Sequence, residues 1–170
     1  MIINRVQRTY ELEAYRVQNL LDYKILDTQP EVPFNNLAAI LTEYFRVPIA
    51  LINFVDSERV WVKATKYGDS GNSVTRANSI CSHAIKNNSI TVYEDTLKFS
   101  FLKDIPLVTG EPKIRFYAAA PITTFEGFNI GVVCIADMVP RTFSREKLQK
   151  LKVFADQVRK ELERRLEIQE

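Results

Sequence analysis

Cys81-Ser82-His83 places a thiol, a hydroxyl and the single imidazole of the chain within three residues. A thiolate beside an imidazole is the pair used in nucleophilic catalysis, and a cysteine in the first turn of a helix has its thiol pKa lowered by the helix dipole. The spacing works against that chemistry. Residues two apart on a helix point about 200° apart, so if Ser79 to Asn87 is helical, Cys81 and His83 do not face each other. They are read instead as a small buried cysteine and a polar histidine orienting the loop, with His83 on the side of Ser79. The other cysteine, Cys134, lies in the apolar run Gly131 to Ile135 and is read as a small hydrophobe. One histidine and two separated cysteines lack the paired spacing of a zinc site, so no metal is expected. Arg76 and Arg115 offer guanidinium forks suited to phosphate or carboxylate. The preferred alternative pairs them with Asp95, Asp104 or Glu111, holding loops in place.

The elements that must carry these groups belong to an ordinary soluble domain. The chain has 170 residues, 46% hydrophobic and 26% charged, which argues against disorder and collagen-like repeats and matches one domain with a full core. With 23 basic and 21 acidic residues, the net charge of +2 gives no large single-sign field, so nucleic acid is not an expected partner. Only five glycines are present, and neither phosphate-cradling motif occurs. No stretch reaches membrane-helix length, Met1 to Arg16 lacks a signal-peptide core, and two cysteines suit a reducing compartment. A cytoplasmic location is expected.

Val6, Tyr10, Ala14, Val17 and Leu21 follow at steps of four, four, three and four, predicting an amphipathic helix that stops before Pro30. Phe34, Leu37, Ala38, Leu41 and Phe45 predict a second helix, ended by Pro48. Ile49 to Val55 and Val60 to Tyr67 read as a hairpin, and Gly68 to Asn78 as a loop. A short helix over Ser79 to Asn87 and a brief strand at Ile90 to Tyr93 precede an irregular stretch, Glu94 to Pro112, with room for single-turn helices. Ile114 to Thr123 and Ile130 to Asp137 predict a second hairpin. Ser144 can cap a final helix with the stripe Leu148, Leu151, Ala155, Val158, Leu162 and Leu166, roughly 39 Å long at about 1.5 Å per residue. The order predicts an α+β domain: a central, mainly antiparallel sheet with helices packed on it.

These residues resemble a GAF domain of the kind found in bacterial sensor histidine kinases and nucleotide-cyclase signalling proteins. The matching stretches are Tyr23 to Glu31, Val47 to Asp56, Ser79 to Ile85, Pro106 to Gly110, Ile114 to Ala118, Gly131 to Asp137 and Pro140-Arg141, in order over essentially the whole chain. The resemblance implies a single GAF domain over 1–170. Within it, 5–24 is the N-terminal helix, 32–140 the sensory core, and 144–169 a signalling and dimerisation helix. It also implies a twisted antiparallel sheet with a small-molecule pocket on one face, dimers made through the terminal helices, and an output kinase or cyclase domain or a partner protein. The end within a helix is expected of a piece of a larger signalling protein or of a partner-dependent adaptor. Thr96 to Phe101 departs from the family pattern, where an acidic residue and an arginine often precede the phenylalanine.

Some GAF proteins reduce free methionine sulfoxide, resembling a three-cysteine exchange network, of which this chain offers two. Bilin-binding relatives usually carry an adjacent Cys-His pair, absent here. The Asn-Lys-Phe-Asp-Glu signature of cyclic-nucleotide-binding relatives is also absent. The expectation is therefore a non-enzymatic sensory module of two-component or related signalling, binding an unidentified small molecule as a homodimer. A ligand-free dimerisation or interaction module is the alternative. The cofactor is left open. Because Arg115 and Tyr117 share one face of their strand, the expected pocket takes those two residues, with Trp61, Cys81, His83 and Asp95 as neighbours. The expected dimer helices contribute Val6, Tyr10, Val17 and Leu21, and Leu151, Ala155, Val158 and Leu162.

Overall fold

The computed structural model describes residues 5–169, so residues 1–4 and 170 of the expected 1–170 domain lie outside it. Six strands form one antiparallel sheet in the order β3-β2-β1-β6-β5-β4: β1 Ile49–Val55, β2 Arg59–Thr65, β3 Ser73–Thr75, β4 Thr91–Tyr93, β5 Phe116–Thr123 and β6 Asn129–Asp137. Three helices, α1 Arg5–Asp22, α2 Val32–Phe45 and α5 Arg145–Gln169, pack on one face. The other face is covered by short pieces: α3 Cys81–Ala84, α4 Pro106–Thr109 and single-turn helices at Arg76–Asn78, Thr96–Lys98 and Ser100–Leu102.

The strands form where β-branched and aromatic residues run together. Every residue of β6 is buried, because it lies between β1 and β5 with apolar layers above and below. Strand alternation sends Val133 and Ile135 to the helical side, and Val132, Cys134 and Ala136 to the other. At an order of 1.5–3 kcal/mol per buried large apolar side chain, these two layers supply most of the driving force for folding. Gly131 is required by close approach: a Cβ there would lie 2.2 Å from the Asn53 carbonyl oxygen of β1. In α2, Pro33 sits in the first turn, where its missing N–H costs nothing, and Arg46 closes the helix in the left-handed conformation (φ 54°). Ser144 Oγ accepts from the Lys147 amide, giving α5 its expected start.

Several expectations are corrected. The segment read as the loop Gly68 to Asn78 contains β3, a three-residue edge strand paired with β2. The helix expected over Ser79 to Asn87 is a single turn. The α1 residues expected at a dimer contact lie at the surface, which leaves that expectation as it was: Val6 is 64% exposed, Tyr10 74% and Leu21 47%, whereas Arg16, Asn19 and Leu20 point inward. In α5 the reverse holds. Leu151, Ala155, Val158 and Leu162 pack into the chain's own core, which removes them from the set available to a second copy.

The inward face of α1 is polar because it covers strand ends, whose carbonyls need donors. Arg16 Nη1 donates to the Val55 carbonyl at 2.6 Å and to that of Asn129 at 3.3 Å. A second polar tie holds the far end. Lys63, fully buried between the Phe34 and Trp61 rings, donates to Thr28 Oγ1 and the Gln29 carbonyl and pairs with Glu31 at 2.5 Å. Alternation along β2 puts Lys63 on the face of Trp61, and the bulge beside it lets Ala64 turn to that same face. Glu31 also receives Arg165 of α5 at 2.8 Å, while Tyr23 Oη donates to Glu163 at 2.7 Å. The α1–α2 connection thus grips β2 and the last third of α5.

Candidate functional site

The chemistry-bearing side chains collect on the face opposite the long helices. Asn53 projects from β1, Tyr117 from β5 and Cys134 from β6, and α3 brings Cys81 down upon them. Asn53 Nδ2 donates to Cys81 Sγ at 3.4 Å and Tyr117 Oη donates to it at 3.1 Å. The Cys81 amide bonds back to Ser79 Oγ at 3.1 Å, fixing the turn that presents the sulfur. Asn53 Oδ1 is buried and has no hydrogen-bond partner among the described residues.

These donors favour the charged form of Cys81. A hydrogen bond from the Cys134 thiol, with further ones from Tyr117, Asn53 and Ser79, outweighs burial and holds its pKa down to about 6. The bond to Cys81 and burial push Cys134 well above the ordinary thiol range, and burial together with the neighbouring sulfurs does the same to the Tyr117 phenol. The arrangement therefore favours negative charge on Cys81 over Cys134, with neutral donors around the Cys81 sulfur. Among the described residues His83 does not join it as a base: its ring packs edge-on against Phe101, with centroids 5.2 Å apart, and burial and the charge of Lys86 push its pKa down. Among the described residues, no group of three or more His, Cys, Asp or Glu could hold a metal.

The other expected pocket residues lie elsewhere. Trp61 belongs to the helical-side core, since alternation along β2 turns it away from Cys81. Asp95 caps the single-turn helix at Thr96–Lys98, accepting from the Leu97 amide, and lines a shallow cleft of about 400 Å³ with Glu94, Lys98, Phe99 and Arg141. Arg115 donates to the carbonyls of Val108 and Ile114 rather than to an acidic side chain, and holds α4 to the sheet. Arg76 pairs with Glu13 of α1 at 2.6 Å rather than with Asp95, Asp104 or Glu111. Tyr117 and Cys81 alone of the expected set touch each other.

Asn53, Glu13 and Arg16 were not visible as site residues in the sequence. Asn53 is the one polar residue in the apolar run Ile49 to Val55, the available signal for a strand residue facing other polar groups. Glu13 and Arg16, one helical turn apart, form a pair at 2.8 Å whose position under Arg76 depends on tertiary structure. Together Glu13, Arg16 and Arg76 line a cleft of about 650 Å³ with Tyr10, Ile85 and Phe128.

This sheet with its helical layer, and the lid of single turns, is a GAF domain: the family model for that domain matches residues 29–162, and the chain belongs to the family. GAF domains are regulatory and sensory modules. A curated relative, a cyclic di-GMP phosphodiesterase of Pseudomonas aeruginosa, is 38% identical over 117 residues. The match takes in 69% of this chain and 20% of the relative, so the chain spans about one fifth of that protein's length. Among solved structures, the GAF domain of an Acinetobacter phosphoenolpyruvate-protein phosphotransferase superimposes with a TM-score of 0.65 at 12% identity, covering 98% of each chain. A free methionine-R-sulfoxide reductase of Neisseria meningitidis gives a TM-score of 0.64 at 16% identity, covering 96% of this chain and 93% of its own.

These findings overturn the expectation that the chain is no enzyme. The curated relative is named as an enzyme and the fold is shared with a reductase, so membership of this family does not make a chain non-catalytic. Among the described residues, no helix is long and apolar enough to cross a membrane.

Proposed function

We propose that this GAF domain senses a small molecule on the α3 side of its sheet and relays occupancy through α1 to an output domain. The observation that supports the relay is the carboxylate of Glu13, which accepts from Arg16 at 2.9 Å and from Arg76 at 2.6 Å. Arg76 opens the segment leading to Cys81, and its carbonyl accepts from Ser82 Oγ at 2.6 Å. Movement of α3 therefore pulls on a charged link to α1, which presents its outward apolar stripe to a second copy in a homodimer. The relay works only if the ligand favours one arrangement of α1 over another. By likeness to the curated relative, the output is a cyclic di-GMP phosphodiesterase.

The second reading, a ligand-free dimerisation or interaction module, is favoured by the packing of Leu102, Ile105, Val108 and Ile114 against the sheet. Native mass spectrometry of protein purified from a rich host separates the two. A dimer with a reproducible added mass supports sensing, and Glu13→Gln should then retain the mass while uncoupling it from helix packing. A clean dimer after incubation with nucleotide and metabolite pools supports the interaction module, and a clean monomer refutes both.

A further inference from the structure

Neither sensing nor dimerisation uses the two buried sulfurs, yet the sheet register places them together. Asn53 stands opposite Val132 on one side of β6, and Tyr117 opposite Ala136 on the other. Neighbouring strands lie about 4.8 Å apart, so an atom that touches side chains from both β1 and β5 sits over the strand between them. Cys81 Sγ touches both, and the residue of β6 between Val132 and Ala136 on that face is Cys134. The two sulfurs are thus stacked over one point of the central strand, although 53 residues separate them in the chain.

We propose that Cys81 and Cys134 form a peroxide-reactive thiol pair, in which Cys81 is oxidised first and Cys134 resolves it to a disulfide. The Cys81 thiolate attacks one oxygen of hydrogen peroxide, the O–O bond breaks, and the departing hydroxide takes up a proton to leave as water. The sulfenic acid on Cys81 is then attacked by the Cys134 sulfur. The S–S bond forms, the S–O bond breaks, and the hydroxide leaves with the Cys134 proton as a second water. Two thiols lose two electrons and one peroxide gains them.

Three features fit that sequence. The attacking sulfur is the one surrounded by donors, which favour the thiolate that reacts. The unpartnered Asn53 Oδ1 belongs to the same amide whose nitrogen touches Cys81 Sγ, so a sulfenic O–H brings the donor that this buried acceptor lacks. The cover over the pair is built to open: Tyr93 stacks on Tyr117 at 6.1 Å and is itself capped by Phe99, which joins the two three-residue helices, and by Phe101, in the middle of the second. Such single turns have little stability of their own, and their opening admits a molecule the size of peroxide.

The test is stoichiometric hydrogen peroxide on the full chain, followed by thiol blocking and mass spectrometry. The wild type should lose two hydrogens and yield one peptide pair joined through Cys81 and Cys134. Cys134→Ser should stop at a sulfenic acid on Cys81 that a dimedone probe captures, while Cys81→Ser should leave Cys134 unoxidised. Tyr117→Phe should slow the first step on the order of tenfold by removing one hydrogen bond to a charged sulfur. Retention of both free thiols in the folded wild type, at peroxide levels that join them in the urea-unfolded chain, overturns the proposal. So does unchanged peroxide oxidation of Cys134 in the Cys81→Ser chain.

Discussion

Leu162→Ala and Tyr10→Ser form a pair of substitutions on the two terminal helices with opposite consequences. Leu162 is 0% exposed and belongs to the core cluster that α5 forms with β5 and α2. Truncating a buried leucine removes its transfer free energy and leaves a cavity, costing about 2–5 kcal/mol. For a chain of this length each kcal/mol lowers the melting temperature by roughly 2–4 °C, so the midpoint should fall by about 4–20 °C. Tyr10 is 74% exposed, and its loss should move monomer stability by no more than about 0.5 kcal/mol. In sedimentation the order reverses: Tyr10→Ser should weaken the dimer, and Leu162→Ala should leave the association constant of the folded fraction unchanged. Calorimetry and sedimentation velocity on both variants suffice. If Leu162→Ala kept its melting temperature and halved the sedimenting mass, the assignment of α5 to the internal core would be wrong.

Arg16→Met should cost about 2–4 kcal/mol in urea unfolding, because the Val55 and Asn129 carbonyls lose a buried donor that methionine cannot replace. Gly131→Ala should cost about 3 kcal/mol or more and selectively loosen the β1–β6 pairing in hydrogen exchange, since the added methyl group meets the Asn53 carbonyl. Burial raises the pKa of the Glu31 carboxyl, but hydrogen bonds from Lys63 and Arg165 outweigh it and hold it below its ordinary value. A folded pKa below the unfolded one gives stability that is present above the ordinary carboxylate range and lost as pH falls through the folded value. Glu31→Gln should therefore cost stability at pH 7 and flatten the acid limb below about pH 4, as read from urea midpoints across pH.

The parts of the fold set by local periodicity were legible. The runs Ile49 to Val55 and Ile130 to Asp137 became β1 and β6, and the stripe ending at Phe45 became the buried face of α2. What periodicity did not report is which of the two terminal stripes the chain's own core would take. In α1 the demand of strand-end carbonyls for a donor won over apolar area, so Arg16 turned inward and Tyr10 outward. β3 was hidden because Ser73-Val74-Thr75 is too short and too exposed to show alternation. The site was legible only through Cys81 and Tyr117. Asn53 and Cys134 join them by register between strands far apart in sequence, and no spacing rule reports register.

The outermost strands, β3 and β4, are three residues each, whereas the four between them run from seven to nine. A long bare edge offers a row of free amides and carbonyls on which another chain can nucleate cross-β growth. Here the template is clipped to a length that holds an incoming strand by only a bond or two. The sheet thus gives another chain too short an edge to seed fibres, even though Tyr10 and Tyr15 stand exposed on the outer helix α1.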